Sequence, residues 1–413
     1  MPLLSVLALT IPGNSLKRIG FLALAAAMTV GAPAAANAQA TIDVAAREAI
    51  VVDYDTGAVL FTKDADVPVH PASMSKLMTL YMLFDRLKRG ELSLDDTFPV
   101  TETAWAMNEG STMFVDIGEQ VKIEDLIRGV IVQSGNDACF VIAEGLAGSE
   151  AAFAESMNAK AKELGLNSSH FANSHGLEDP NHQMTVRDIA TLSAALIRDF
   201  PDYYHYFGEL TFVHNGIEQG NRNPLLYRNI GVDGLKTGHL TVSGYGLAAS
   251  ALRNGRRIIV VAHGMESMQA RADEVAKLVE WAYREFDNYK LASAGAVLED
   301  APVWLGEAET VPMVLGSDLV ITLPRGQREQ LQATAVLAGP VAAPVVAGQE
   351  IGTLVITIPG VSPIERPLLA GADVPELGLM GRVMAALRHM VMGDGTAAPE
   401  EPVDEPAEEA TQS

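Results

Sequence analysis

The chain has 413 residues and a single cysteine, Cys139. One thiol cannot close a disulfide within its own chain, so a real hydrophobic core must hold the fold, and no thiol set is on hand for metal or redox work. Positive charge is also scarce: 29 Lys and Arg stand against 52 Asp and Glu, a net charge of −23. Nothing in that balance resembles a phosphate-binding stripe, and no nucleic-acid partner is expected. The nine histidines are scattered without H-E-x-x-H or comparable spacing, so neither metal nor cofactor is expected. The apolar stretch from Ile19 to Val30, about 12 residues, is short for a membrane span.

What is present is globular: 48% of residues are hydrophobic and 20% charged, enough for two domains with appendages. Lys17 and Arg18 precede that apolar stretch, and Ala36-Asn37-Ala38 forms an A-x-A cleavage site before Gln39. Residues 1–38 therefore read as a secretory signal peptide, although its uncharged first 16 residues make a long n-region. A misassigned start codon, or a membrane anchor in place of the leader, is the alternative. Cleavage removes two positive charges and takes −23 to −25.

Along the mature chain, "AIVVDYDTGAVLF" (49–61) reads as two strands around an Asp-Thr-Gly turn. "SKLMTLYMLFDRL" is apolar nearly all round, a helix for the interior. Helical patterns follow over 123–132, 137–147 and 150–164, and another starts at Thr185, where Thr185 and Asp188 suggest a capping box. "GLAASALRNGRRIIVVAHG" (246–264) is a hairpin turning at Asn254-Gly255. Val275, Leu278, Val279, Ala282 and Phe286 then mark one face of a helix. Strands early, helices between and strands late predict an α+β domain whose antiparallel sheet is closed by both ends. Beyond about Tyr289, short β-type runs punctuated by Gly and Pro predict a small all-β domain. The tail from Pro399 is acidic, Pro-rich and expected to be disordered.

Chemistry is carried by three short motifs in order: Ser73-Met74-Ser75-Lys76, Ser134-Gly135-Asn136 and Lys236-Thr237-Gly238. On a helix, residues i and i+3 share a face, so Ser73 meets Lys76 while Ser75 points elsewhere. Ser73 is then the nucleophile, at a helix start whose free N–H groups favour a developing oxyanion. Lys76 can be its base only if burial and like charge hold the amine neutral.

The three motifs resemble the active site of penicillin-binding proteins and serine β-lactamases. "PASMSKLMT", "IRGVIVQSGNDAC", "NRNPLL", "VDGLKTGH" and "RADEVAKLVEWAY" narrow the resemblance to the low-molecular-mass D-alanyl-D-alanine carboxypeptidases, over about residues 45–390. The resemblance implies a penicillin-binding, β-lactamase-like catalytic domain over 39–288, with an antiparallel sheet and a helical subdomain. A small all-β domain over 289–376 follows it. It also implies removal of the terminal D-alanine from peptidoglycan stem pentapeptides through an acyl-Ser73 intermediate, with β-lactams acylating the same serine.

In that scheme Lys76 is the base, Ser134 relays a proton to the leaving amine, and Asn136 binds the substrate amide. Lys236 and Thr237 take the terminal carboxylate along an edge strand, where the peptide can add by main-chain hydrogen bonds. Gly238 completes that motif, and the N–H groups of Ser73 and His239 form the oxyanion hole. The His239 side chain is a wall, because no carboxylate at recognisable spacing orients it as a base. The family resemblance places Arg271 and Arg222 near the carboxylate site; surface ion pairing is the other reading for both. It also places Lys236 and Arg271 beside Lys76 as the cations that lower its pKa.

Ser156-Met157-Asn158, a second S-x-N, is rejected for its order and its helical setting. A class A-like β-lactamase would need a deacylating glutamate, for which Glu178 is the candidate, and would have no place for the β domain. A penicillin-binding scaffold without turnover is the non-enzymatic alternative.

Finally, "LMGRVMAALRHMVM" sets Met380, Val383, Met384, Leu387, Met390 and Val391 on one helical face, away from Arg382, Arg388 and His389. At 1.5 Å per residue it is roughly 21 Å long, too short to cross a bilayer. A membrane-surface helix over 377–393, then an acidic tail over 394–413, completes the expected layout of an exported protein held on the periplasmic face of the cytoplasmic membrane. A helix docked on the β domain, or paired with another chain, is the alternative.

Overall fold

The computed structural model describes residues 5–8, 42–107, 109–359 and 361–392. The expected cleavage site and acidic tail lie outside the described residues. Two compact units are resolved, one spanning Thr41–Phe286 and the other containing Asp287 onward.

The first unit is built on a five-stranded antiparallel sheet. Its strands are β1 (Glu48–Asp53), β2 (Val59–Lys63), β3 (Val232–Leu240), β4 (Gly244–Arg253) and β5 (Arg256–Met265), in the spatial order β2-β1-β5-β4-β3. Chain start and chain end thus meet at the β1–β5 pair, closing the domain as its pattern predicts. Asp53 Oδ1 accepts from Thr56 N at 3.1 Å and from Thr56 Oγ1 at 3.0 Å, which makes the β1–β2 turn. Asn254 and Gly255 both take positive φ, 51° and 81°, as a two-residue hairpin turn requires.

β5 explains why its sequence shows no alternation. Ile259 and Val261 pack into one core, while Ile258, Val260 and Ala262 pack into another. A strand covered on both faces reads as a continuous apolar run. One cover is the helix Met268–Glu285, whose Val275, Leu278, Val279 and Ala282 join the second core. The first core is helical and is centred on α1 (Lys76–Lys88), buried continuously from Lys76 to Phe84 and again at Leu87.

Three expectations are corrected. Ser73 does not sit in the first α-helical turn: Ala72–Ser75 is a 3-10 turn that leads into α1. The helix predicted over 123–132 is α-helical only over Ile123–Arg128, and Gly129–Gln133 widens into a π turn ending at Ser134. The capping box at Thr185 is half made. Thr185 Oγ1 accepts from Asp188 N at 3.0 Å, but Asp188 Oδ2 turns away to Ser168 N and Ser169 Oγ.

The second unit is a β structure. Seven strands run in the order Ser5–Ala8, Gln332–Leu337, Glu350–Ile358, Val361–Ala370, Thr310–Val314, Val297–Trp304 and Val341–Ala342, the first of them an edge strand from within the expected 1–38 leader, so that six belong to the expected mature chain. Phe286–Ala292 pairs separately with Leu319–Pro324. Inward residues such as Ala335, Leu354, Ile356 and Leu368 form its core. The helix Leu379–Met392 follows, with Leu379, Met380, Val383 and Met384 exposed and Arg382 paired to Glu376 at 2.6 Å.

Candidate active site

Three segments converge on one lysine, and a fourth joins them through Ser134. Lys76 Nζ lies 2.8 Å from Ser73 Oγ and 2.7 Å from Asn136 Oδ1, and it donates to the carbonyl of His175. The 3-10 turn brings Ser73 and Lys76 together more directly than an α-turn would, because i and i+3 eclipse at three residues per turn. Ser75, on the other side of that turn, is fully buried and donates to Ala72 O at 3.0 Å. The fourth segment is the edge strand β3, where Lys236 Nζ lies 2.9 Å from Ser134 Oγ.

Close backbone approach explains two of the glycines. Gly238 leaves no room for a side chain: a Cβ there would lie 2.6 Å from Pro71 O and 3.2 Å from Met74 Cγ. The nucleophile turn therefore rests against β3 itself. Gly176, at φ +82°, is pressed on the same turn from behind, where a Cβ would collide with Ala72 O and Ser75 Oγ. Ser134 takes the left-handed conformation without being glycine, at φ 61°. Such outliers concentrate at functional sites, where the surroundings hold them.

Both amines are buried, Lys76 at 0% and Lys236 at 1% exposure. Burial lowers the Lys76 pKa to about 8, helped by the Arg222 charge and opposed by Cys139 and Asp137. Burial, with Lys76 and Arg222 next, takes Lys236 well below its ordinary value. Of the two cations expected beside Lys76, Lys236 is coupled to it, whereas Arg271 acts on Lys236 and Arg222 is the guanidinium that acts on Lys76.

The D-alanyl-D-alanine carboxypeptidase description of peptidase family S11 matches residues 33–267, more than half of the chain. The C-terminal domain description of penicillin-binding protein 5 matches residues 286–376. The chain belongs to the D-alanyl-D-alanine carboxypeptidase family. D-alanyl-D-alanine carboxypeptidase DacC of Escherichia coli is 39% identical over 90% of this chain and 95% of its own length. Penicillin-binding protein 5 of Haemophilus influenzae superposes with a TM-score of 0.76 at 36% identity, covering 81% of this chain and 99% of its own. The ampicillin-bound penicillin-binding protein D2 of Listeria monocytogenes gives a TM-score of 0.53 at 27% identity, over 59% of this chain and 99% of its own. The enzyme is accordingly a serine-type carboxypeptidase of this family.

Other candidate residues of the carboxypeptidase occupy varied positions. Thr237 is buried beside Lys236 on β3. His239, exposed at the end of β3, stacks on Tyr245 at 3.9 Å, a contact suited to a wall. Arg271 is 7% exposed in the first turn of its helix and lies over the Tyr245 ring at 5.7 Å. Its Nε is buried and has no hydrogen-bond partner among the described residues, a donor without an acceptor there. Arg222 is exposed and donates to Ser111 Oγ. Among the described residues neither arginine makes an ion pair.

The rejected candidates have structural duties. Ser156 Oγ donates to Ala152 O within its helix, and Asn158 holds the backbone of Phe171. Glu178 is exposed.

Sequence reasoning missed what supports the motifs. The Asp137 carboxylate gathers Thr112 Oγ1 and the N–H groups of Met113, Phe114 and Val115. That pins the loop whose Glu109 and Ser111 carbonyls receive the side-chain and main-chain N–H groups of Asn136, each at 2.7 Å. His175 and Glu150 were missed as well. An acidic residue directly after "SGN" was the visible signal for Asp137; the other two carry none.

Proposed function

We propose that Ser73 attacks the penultimate D-alanine carbonyl of a peptidoglycan stem pentapeptide with Lys76 as its base. One observation carries this: of the three oxygens around Lys76 Nζ, only Ser73 Oγ has a proton to give. A neutral amine has two N–H bonds and one lone pair. The carbonyl oxygens of Asn136 and His175 can only accept, so they take the two N–H bonds and the lone pair faces the serine hydroxyl. A pKa of about 8 leaves a useful neutral fraction at physiological pH.

The Ser73 proton passes to Lys76 as the Oγ–carbon bond forms, and the oxyanion is received by the N–H groups of Ser73 and His239. Ser134, hydrogen-bonded to Lys236, delivers its proton to the departing D-alanine nitrogen as the peptide bond breaks and takes in turn the proton that Lys76 received, so both groups end as they began. Water then releases the shortened peptide from Ser73. The substrate adds alongside β3, whose outer edge is unpaired among the described strands, and Asn136 binds its amide. Its carboxylate is met by Lys236, Thr237 and the Arg271 guanidinium, whose Nε has no hydrogen-bond partner among the described residues, with Arg222 at the margin. β-Lactams acylate Ser73 by the same attack. Mass spectrometry after incubation with benzylpenicillin tests this: a single adduct on Ser73 is expected, together with D-alanine release from pentapeptide. An adduct on Ser75 would refute it.

For location, the proposal is export by the 1–38 leader and peripheral attachment to the membrane through Leu379–Met392. No helix among the described residues is long and apolar enough to cross a membrane, whereas the exposed Leu379, Met380, Val383 and Met384 suit an interfacial helix. Truncation after Glu376 should leave catalysis intact and abolish sedimentation with anionic liposomes. Failure of the full chain to bind them at low salt would favour the docked or paired helix.

A further inference from the structure

The base mechanism requires the Lys76 lone pair to face Ser73, and two carbonyl acceptors fix that direction. Asn136 is anchored at the head of a helix. His175 lies outside helix and strand, so its carbonyl must be held by other means.

The means are behind the lysine, away from the cleft. Glu150, first residue of the helix Glu150–Glu163, accepts from Ser174 N at 3.1 Å and from Ser174 Oγ at 2.7 Å. The same oxygen lies 3.1 Å from His175 Nε2. Leu177 N donates to His175 Nδ1 at 3.1 Å, so Nδ1 is the acceptor and Nε2 carries the proton that meets Glu150. The ring stacks on Phe140 with centroids 5.3 Å apart. Asn173 Oδ1 collects the N–H groups of His175 and Gly176, and Thr79 Oγ1 ties down Ser174 O. Every freedom of the segment is taken.

We infer that the buried His175–Glu150 pair is a positioning device for the general base, holding the His175 carbonyl that aims the Lys76 amine at Ser73. The inference rests on the Lys76 mechanism above. His175 itself is no proton acceptor for Ser73, since its side chain is 6% exposed and both ring nitrogens are engaged. Burial works against the Glu150 charge, yet the hydrogen bonds from His175 and Ser174 hold its carboxyl below the usual carboxylate range. The Glu150 carboxylate therefore stays ionised at neutral pH.

The experiment compares Glu150→Ala, His175→Ala and Glu150→Gln with the wild-type chain, following acylation by a fluorescent penicillin across pH, with melting curves for each. The two alanine variants should lose about 10- to 100-fold in the acylation rate constant, the scale of a catalytic group displaced by about 1 Å. Dissociation of the non-covalent complex should change less than about twofold, because neither residue meets the ligand. The pH midpoint of acylation should move upward. Water admitted to Nζ relieves its burial, while Arg222, Cys139, Asp137 and Lys236 stay in place around it. Glu150→Gln keeps an acceptor oxygen and should recover most of the rate. A merely structural role would lower melting temperature and leave the midpoint where it was, and that result overturns the inference. So does an unaffected Glu150→Ala beside an inactive Lys76→Arg, which spares the base mechanism. An active Lys76→Arg removes both.

Discussion

The two units treat polar groups in opposite ways. The catalytic unit buries Lys76, Lys236, Asn136, Asp137, Ser134 and His175, among others, whereas Thr322 is the single described residue of the β unit in that class. Burying a charge costs stability unless its partners repay the lost hydration. The catalytic unit accepts that cost around one nitrogen and offsets it with hydrogen bonds from distant segments. The β unit has no such group to support, and alternation of apolar residues suffices for it. Function here is concentrated where folding is least favoured by composition alone.

The contrast can be tested, beginning with the largest effect. Lys76→Arg places a group that stays cationic where a base is needed. Acylation by benzylpenicillin should fall by about 10²–10⁴-fold, the usual worth of a general base, as stopped-flow labelling would measure. In the wild-type chain the rate should climb with pH and level off above about 8, where Lys76 is neutral.

Leu354→Ala, in the β core, should cost about 2–5 kcal/mol of that unit's stability by chemical denaturation. Its acylation rate should match wild type while folded. A parallel loss of acylation would break the distinction between the units.

The third effect is a linkage. The folded-state pKa of Lys76 is depressed from 10.5 to about 8, so between those values the unfolded chain binds more protons than the folded one. Stability conferred through this group therefore rises with pH across that window, by about 3 kcal/mol in total. Below pH 8 both states are protonated and the burial cost is fully present. Denaturation curves from pH 8 to 10.5 should show that gain together with the contribution of Lys236, whose amine is also depressed, and Lys76→Met should lose the Lys76 share.

The smallest effect is expected of Ser75→Ala. It removes one buried hydrogen bond to Ala72 O, about 1 kcal/mol, and should leave penicillin labelling largely intact. A labelling defect as deep as that of Ser73→Ala would reverse the roles of the two serines.

Much of this was legible before any coordinates. Ser73 with Lys76, the Asn254-Gly255 turn, and the strands with clean alternation announce themselves because each depends on neighbours three or fewer residues away. What stayed hidden depends on distance. His175 acts through its backbone carbonyl, which no side-chain motif records, and its partner Glu150 opens an unremarkable amphipathic helix. The π turn before Ser134 has the apolar composition of an ordinary helix. The strand Val361–Ala370 carries Pro363, Glu365, Arg366 and Pro367, which disguise it. Lys236 was named correctly beside Lys76, but the arginine there is Arg222 and not Arg271, because electrostatic proximity belongs to the fold, whereas the sequence shows only the order of the basic residues.

Lys76 Nζ touches residues 3, 60 and 99 positions away along the chain. Its reactivity therefore exists only after the nucleophile turn, the Ser134–Asn136 bend and the His175 segment have all docked. A partly folded molecule would carry the same serine and the same lysine, but the amine would be hydrated, protonated and unaimed. Covalent penicillin uptake thus counts natively assembled catalytic units one by one. In a denaturation or refolding series it would act as a titration of fold integrity, and loss of labelling would report the failure of any one of three widely separated segments.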